Sequence, residues 1–567
     1  MRAFRDAAGT DKPMKKFLAI SLFVVPSLFA AETHRYLVAT TRAPRLMKLN
    51  VLSAGEVTAR NVRTFEAIDG FAVDLTDAEA AEMRKSVGVR YVSRTVAIHA
   101  AGGVAPPRLA PHAEGSPLNV AQVIPPNIDL LHARDVWPLT RGGNVNIAVI
   151  DTGVDLAHAD LAGNIAGGYN TFTKLGDFND DNLHGTHVAG IIGALDNNIG
   201  VVGVAPGARM YAVKVLDAEG NGTDENLVAA ADWLLASKLA KGGNWIMSMS
   251  LGSHELTAPV EDAFQRLIAG GVLCIAAAGN DGGFYDMLYP AALPGVVSVG
   301  AVDNDKVRAD FSDIGPTLNV VAPGVSILST LPTRSVKRGV TTVGDGTVLP
   351  SAMLTGTRLG DVTGEWVSCG YGAAGDFPSE TRGRIAVMSR GMSITFSEKV
   401  RNARAAGAIG AVIFNNNLTT ITTWTLITSI CDADNKNCID NPSDVAYDWP
   451  VVVSLSNADG LKLLANEKQQ TLTLSTYLDD YGNLSGTSMA TPHVTGVAAL
   501  AWSLAPTATA KQVAAALRSS AIDLGPPGVD NSYGFGMVDA LAAAKWLAPA
   551  AFALPPRPDV RTRGAHH

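Results

Sequence analysis

The sequence is poor in cysteine, with 4 in 567 residues. That excludes a small disulfide-stapled scaffold, which carries its bridges far more densely. Aromatic residues are scarce at 6%, and charged residues reach only 17%. A chain so low in charge and 47% apolar is not a disordered polymer. A basic excess is also missing. The net charge is −8, which argues against nucleic acid as a partner. Gly (56) and Pro (29) follow no three-residue period, so a collagen-like fibre is excluded. No segment after residue 31 is long and apolar enough to cross a bilayer, so no stable membrane anchor is expected.

What the chain does have is an asymmetric charge. Basic residues exceed acidic ones over the first 116 positions, while the remainder carries −13. Lys15 and Lys16 precede an apolar run from Phe17 to Phe29, and Ala30-Ala31 follow. This is the pattern of a secretory signal. Residues 1–31 therefore read as a leader, with Met14 as an alternative start, and the product as secreted, by way of the periplasm where one exists. Residues 34–100 read as a compact α+β unit. His34 to Thr40 alternate like a strand, and Val73 and Leu75 mark a second. Thr76 and Glu79 form a capping box, and Tyr91 to Ile98 is another strand. The Ala, Gly and Pro-rich residues 101–116 read as an exposed linker.

The body alternates strands and helices. Apolar runs recur at Val145–Ile150, Met210–Val215, Trp245–Ser250, Val272–Ala276, Val296–Val299 and Leu318–Val321. Helical periodicity fills Asn226–Leu239 and Val260–Ala269. That order predicts an α/β fold with a doubly wound, mainly parallel sheet. Ligands on such sheets bind beyond the carboxyl ends of the strands. Asp151-Thr152-Gly153 stands at one such end. An aspartic protease would need a second such carboxylate to share a proton, and no second D-T-G or D-S-G exists. His184 opens an apolar helix and can face a partner; His187, one turn in, reads as a structural histidine. The pair lacks zinc spacing and a third ligand. Ser488 stands at the entry of a small-residue helix, with Pro492 expected in its first turn. Asn280 ends an alanine run, where an amide donor suits a developing oxyanion and supplies roughly 2.7–4 kcal/mol.

The order Asp151, His184, Ser488 is that of one particular Ser-His-Asp hydrolase class. With the segments DTGVD, HGTHVAG, AAAGN and GTSMATPH, the chain resembles a secreted subtilisin-type serine protease. The resemblance implies acyl transfer: Ser488 as nucleophile, His184 as base, Asp151 as its orienting group and Asn280 in the oxyanion hole. It implies that Ser250-Leu251-Gly252 and Gly220-Asn221-Gly222 flank an extended protein or peptide substrate. Ala278, Gly279 and Leu288 would line the primary pocket, with Leu288 shortening it. It implies a structural calcium ion (Ca2+) held by Gln122, Asp160, Leu195, Asn197, Ile199 and Val201. It also identifies residues 34–100 as an inhibitory propeptide, the chain's own partner until a cut in the linker, and a monomer is expected.

The catalytic unit would comprise residues 117–332 and 478–547, followed by a tail at 548–567. Residues 333–477 interrupt it. Their run from Gly383 to Gly391, with Phe396, Lys399 and Asn402, resembles a β-rich protease-associated (PA) domain. Cys431 and Cys438 suggest a local disulfide, with Cys369 a competitor, whereas Cys274 in an apolar strand reads as a buried thiol. The alternative to an enzyme is a secreted binding protein on an inactive protease scaffold.

Overall fold

A computed structural model describes residues 32–41, 61–101, 122–174, 176–283, 287–417, 424, 426, 428–431, 438–441, 449–465 and 471–553. The leader, most of the linker, the polar residues between Cys431 and Cys438, and the end of the tail lie outside them.

Seven strands form the central sheet, in the order Val320–Pro323, Val297–Val302, Val272–Ala277, Asn244–Met249, Val145–Asp151, Arg209–Lys214, Ile165–Asn170. Every pairing is parallel. Such strands are covered on both faces and must be apolar throughout. Val145–Asp151 and Val272–Ala277 are buried at every position. Their side chains alternate between two cores. Ile147, Val149 and Ile275 face helices His184–Gly193 and Thr487–Leu504; Ala148, Ile150 and Cys274 face helices Asp224–Lys241 and Ala258–Ala269. Burial pushes the Cys274 thiol up to about 12, so it is inert.

After Val145–Asp151 the chain fills one side of the sheet, then crosses to begin the other with Asn244–Met249. The switch lies between these two strands, and ligands of such sheets bind there, beyond the carboxyl ends of the strands. Asp151 and Ser250 are the residues at that rim.

The expectation for Pro492 needs correction. The helix starts at Thr487, so Pro492 lies in its second turn. A proline there has no N–H for the carbonyl four residues back, which is that of Ser488. Ser250 supplies the missing donor: its Oγ donates to the Ser488 carbonyl at 2.8 Å.

The described segments between residues 34 and 94 build a four-stranded antiparallel sheet in the order Arg63–Phe65, Gly70–Leu75, His34–Thr40, Val89–Arg94. The Thr76–Glu79 capping box opens helix Asp77–Arg84. One face of the sheet packs Tyr36, Val38, Val73 and Leu75 around Ala80 of that helix. On the other, Leu37, Phe65, Ile68 and Ala72 complete a core with the two helices of the large unit.

Strands Ile327–Thr330 and Tyr481–Leu484 pair antiparallel, so the chain leaves and re-enters the large unit side by side. Between them, eight strands hydrogen-bond in one mixed ladder, accompanied by helices Phe396–Ala405 and Asn457–Ala465. Thr395 caps the first helix by accepting from the Glu398 N–H. The backbone places Cys431 directly opposite Cys438 on a two-stranded hairpin. Cys369 is buried beside Thr381 and is unpaired. Among the described residues no helix is long and apolar enough to cross a membrane.

Candidate active site

Asp151 is fully buried at the end of its strand. Its Oδ1 accepts from the Thr152 N–H at 2.8 Å and from His184 Nδ1 at 2.8 Å. That bond puts the His184 proton on Nδ1 and leaves Nε2 basic; Nε2 is buried and has no hydrogen-bond partner among the described residues. Burial opposes charging the imidazole, but the Asp151 carboxylate outweighs it and Asp180 adds to the effect, so its pKa is raised. Only glycine can follow His184: a Cβ at Gly185 would sit 2.0 Å from the Gly153 carbonyl oxygen.

A buried network behind this pair escaped the sequence reading. Asp180 accepts from Thr152 Oγ1 at 2.9 Å, from Thr186 Oγ1 at 2.6 Å and from the Thr186 N–H at 2.9 Å. Thr152 Oγ1 in turn accepts from the Gly185 N–H at 2.9 Å. Asp180 thus ties the Asp151 strand end to the His184 helix start. The signal was present as a carboxylate four residues before His184, following Asn179. His187 is structural, as expected: its Nε2 donates to the carbonyls of Ile327 and Gly482, and burial pushes its pKa down to about 3.

Ser488 lies on the adjoining rim. Its Oγ donates to the Ser250 carbonyl at 3.2 Å and makes a closer bond to the Ala101 carbonyl. Asn280 Nδ2 donates to that same Ala101 oxygen. The Asn280 amide cannot turn, because its Oδ1 accepts from the Thr487 N–H at 2.7 Å and from Thr487 Oγ1 at 3.0 Å. Thr487 was also missed, although it directly precedes Ser488.

The segment Ala97–Ala100 runs as the middle strand of a small antiparallel sheet, with Leu251 and Gly252 on one side and Asn221 to Thr223 on the other. Ala100 donates to the Gly220 carbonyl at 3.0 Å and Ala101 to that of Ser250 at 2.8 Å. Leu288 packs on Ala101 together with Ala277. Ala278 acts through Leu288, whose N–H donates to the Ala278 carbonyl at 2.8 Å. Gly279 has φ +124°, and a Cβ there would meet Asp313 Oδ2 at 1.9 Å.

The expected cation ligands also converge. Gln122 Nε2 donates to the carbonyls of Leu195 (2.9 Å) and Val201 (3.4 Å). Asn197 Oδ1 accepts from the Ile199 N–H at 3.1 Å. Asp160 is buried; its Oδ2 accepts from the Val201 N–H and from Tyr481, while Oδ1 has no hydrogen-bond partner among the described residues. Burial raises its pKa.

A parallel sheet with a carboxylate, an imidazole, a hydroxyl and a fixed amide at its switch point is the α/β architecture of the subtilisin type. The model of the "Subtilase family" matches residues 142–357 and 346–536. The chain belongs to the subtilase family. It is 35% identical over 274 residues to Subtilisin E of Bacillus subtilis (strain 168), covering 48% of this chain and 65% of that one. Subtilisin DY of Bacillus licheniformis is 40% identical over 219 residues, 38% of this chain and 77% of that protein. The minor extracellular protease Epr of Bacillus subtilis (strain 168) is 41% identical over 205 residues, 36% and 30% of the two chains. The first of these relatives are thus spanned over 65% of their length. A solved structure, the psychrophilic subtilisin-like protease Apa1 from the Antarctic psychrotroph Pseudoalteromonas sp. AS-11, aligns with TM-score 0.50 at 32% identity. The alignment covers 77% of this chain and 100% of that one.

Proposed function

We propose that the protein is a secreted serine endopeptidase, made as a zymogen, that hydrolyses protein and peptide substrates through Asp151, His184 and Ser488. The observation that carries this reading is a peptide carbonyl oxygen held jointly by Ser488 Oγ and Asn280 Nδ2. Ser488 attacks such a carbonyl, and His184 Nε2 takes the hydroxyl proton. Asp151 steadies the imidazolium, and the Asn280 amide and the Ser488 N–H hold the oxyanion. His184 returns the proton to the leaving amine, and water then releases the acyl group. A fluorophosphonate probe should label the processed protein once per chain, on the peptide containing Ser488; labelling elsewhere, or none, overturns the reading.

Residues 34–100 act as the inhibitory propeptide. Their contacts with the large unit support this. Arg35 makes a forked pair with Glu225 at 2.7 and 3.0 Å, Arg90 pairs with Asp262 at 2.7 Å, and Asp232 accepts from the Glu66 N–H at 3.0 Å. Basic groups of the positive front piece thus meet carboxylates of the negative body. The kinship with an extracellular protease and the sequence of residues 1–31 support export. Residues 333–477 are the PA-like insert, and by that resemblance would select long substrates.

Asp151, with a smaller contribution from Asp180, sets the pH response. Against the opposing effect of burial, the two carboxylates raise the His184 pKa, and the base works only when neutral. Activity therefore rises as pH increases through that raised pKa. Asp180→Asn should move the acid limb of kcat/KM to lower pH and lower kcat; an unchanged limb would deny the coupling.

The residues that would hold calcium fit it. Calcium takes oxygens, many of them carbonyls, and the buried Asp160 carboxylate, whose Oδ1 has no hydrogen-bond partner among the described residues, and the Leu195 and Val201 carbonyls that Gln122 joins are oxygens of that kind. Gln122, Asp160, Leu195, Asn197, Ile199 and Val201 would bind it, and its charge would pin the loop. With calcium at about 100 times its Kd, removal by a chelator should lower Tm by about 5–10 °C. Asp160→Asn should start lower and lose nothing further; a chelator-insensitive Tm in the native chain would remove the ion from the account.

A further inference from the structure

We propose that the chain cuts itself on the carboxyl side of Ala101, and that Ile98-His99-Ala100-Ala101 carries the specificity of the mature enzyme. The inference rests on the endopeptidase reading and fixes its first substrate. One carbonyl among the described residues is held by both Ser488 Oγ and Asn280 Nδ2, and it is that of Ala101. The strand before it is in register for attack. Ala101 and Ala100 donate to Ser250 and Gly220, His99 lies opposite Gly252 and Asn221, and Ile98 lies opposite Gly222.

Burial along this strand is concentrated at two positions. Ala97 and His99 are exposed, while Ile98 is 1% and Ala101 3% exposed. Ile98 fills a core with Leu216 and Leu227. Ala101 meets Leu288 and Ala277, which leave its methyl group enclosed. The pocket for the residue donating the carbonyl is therefore small, and the one three residues earlier is deep and apolar. His99 rests on the rim, bonded to Asn221 at 2.7 Å, and selects little.

The step balances within the chain. Ser488 Oγ bonds to the Ala101 carbonyl carbon and its proton passes to His184. The C–N bond to the next residue, Gly102, breaks as His184 protonates that amine. Water then attacks the ester, leaving an Ala101 carboxylate and a restored Ser488 hydroxyl.

The full chain is expressed and sampled over time, and the carboxyl end of the released propeptide is read by mass spectrometry. That end is unaffected by later trimming of the mature amino terminus. The expected earliest fragment ends at Ala101. Ala101→Trp should slow this cut at least 100-fold, and Ile98→Asp at least 10-fold. On mature enzyme, Ile-His-Ala-Ala-p-nitroanilide should exceed both Ile-His-Ala-Trp and Asp-His-Ala-Ala analogues at least 10-fold in kcat/KM. A Ser488-dependent cut that first ends elsewhere, or a preference for Trp, overturns this inference and leaves the endopeptidase reading standing. Equal processing of the Ser488→Ala chain, in a host or in isolation, overturns that reading instead.

Discussion

Ser488→Ala is expected to lower kcat on casein by a factor on the order of 10⁶, a size established on a bacterial subtilisin, a relative of this chain. The loss is chemical. Ser488 Oγ donates only to the Ala101 and Ser250 carbonyls among the described residues, and removing it changes stability by about 1 kcal/mol. The helix start survives, because its tie to the sheet runs through the Ser488 carbonyl and Ser250 Oγ at 2.8 Å. His184→Ala should cost a similar factor, since Nε2 has no other task. The double variant should be hardly worse than either single one, because nucleophile and base act as a unit. Rates with purified protein freed of residues 34–100 check this. A Ser488→Ala protein retaining a tenth of the native kcat would make the protein a hydrolase of another kind.

The central sheet was legible because parallel strands buried on both faces must be continuous apolar runs, and each of the six expected runs overlaps a strand. The seventh, Ile165–Asn170, was not. Its sequence IAGGYN is edge-like, half-exposed and holds two glycines, so no apolar run marks it. Asp151, His184, Ser488 and Asn280 were visible because strand ends and helix starts are readable locally. Thr487, Asp180 and the Ser250 hydroxyl were not, since each acts through a partner distant in sequence; Asp180 reaches Thr152, and Ser250 reaches the carbonyl that Pro492 frees. Pro492 itself was misplaced by one turn, because the helix opens after Gly486 with no side-chain cap to mark its start. The charge on the face that residues 34–100 turn to the large unit needed the structure too. A sum over the front piece cannot say that Arg35 and Arg90 point at Glu225 and Asp262.

Asn280→Leu is expected to lower kcat by about 10²–10³, equal to roughly 2.7–4 kcal/mol, with KM nearly unchanged. This magnitude also comes from a subtilisin. The split follows from where the amide acts. Backbone pairing of the kind that Leu251, Gly252 and Gly220 make with His99 and Ala100 would bind a substrate strand in ground and transition states alike, and losing it would raise KM. The Asn280 donor instead meets charge that develops as the carbonyl is attacked. The donor is effective because it is fixed before the reaction: Thr487 holds the amide oxygen through both its N–H and its Oγ1, so no reorientation is needed. Thr487→Val keeps the first bond and loses the second. A neutral hydrogen bond of about 0.5–1.5 kcal/mol then sets the expected cost in kcat at about 3- to 10-fold. If Thr487 acts only by aiming Asn280, adding Thr487→Val to Asn280→Leu should cost nothing more. Additive losses would mean that Thr487 positions Ser488 independently, through the helix start they share.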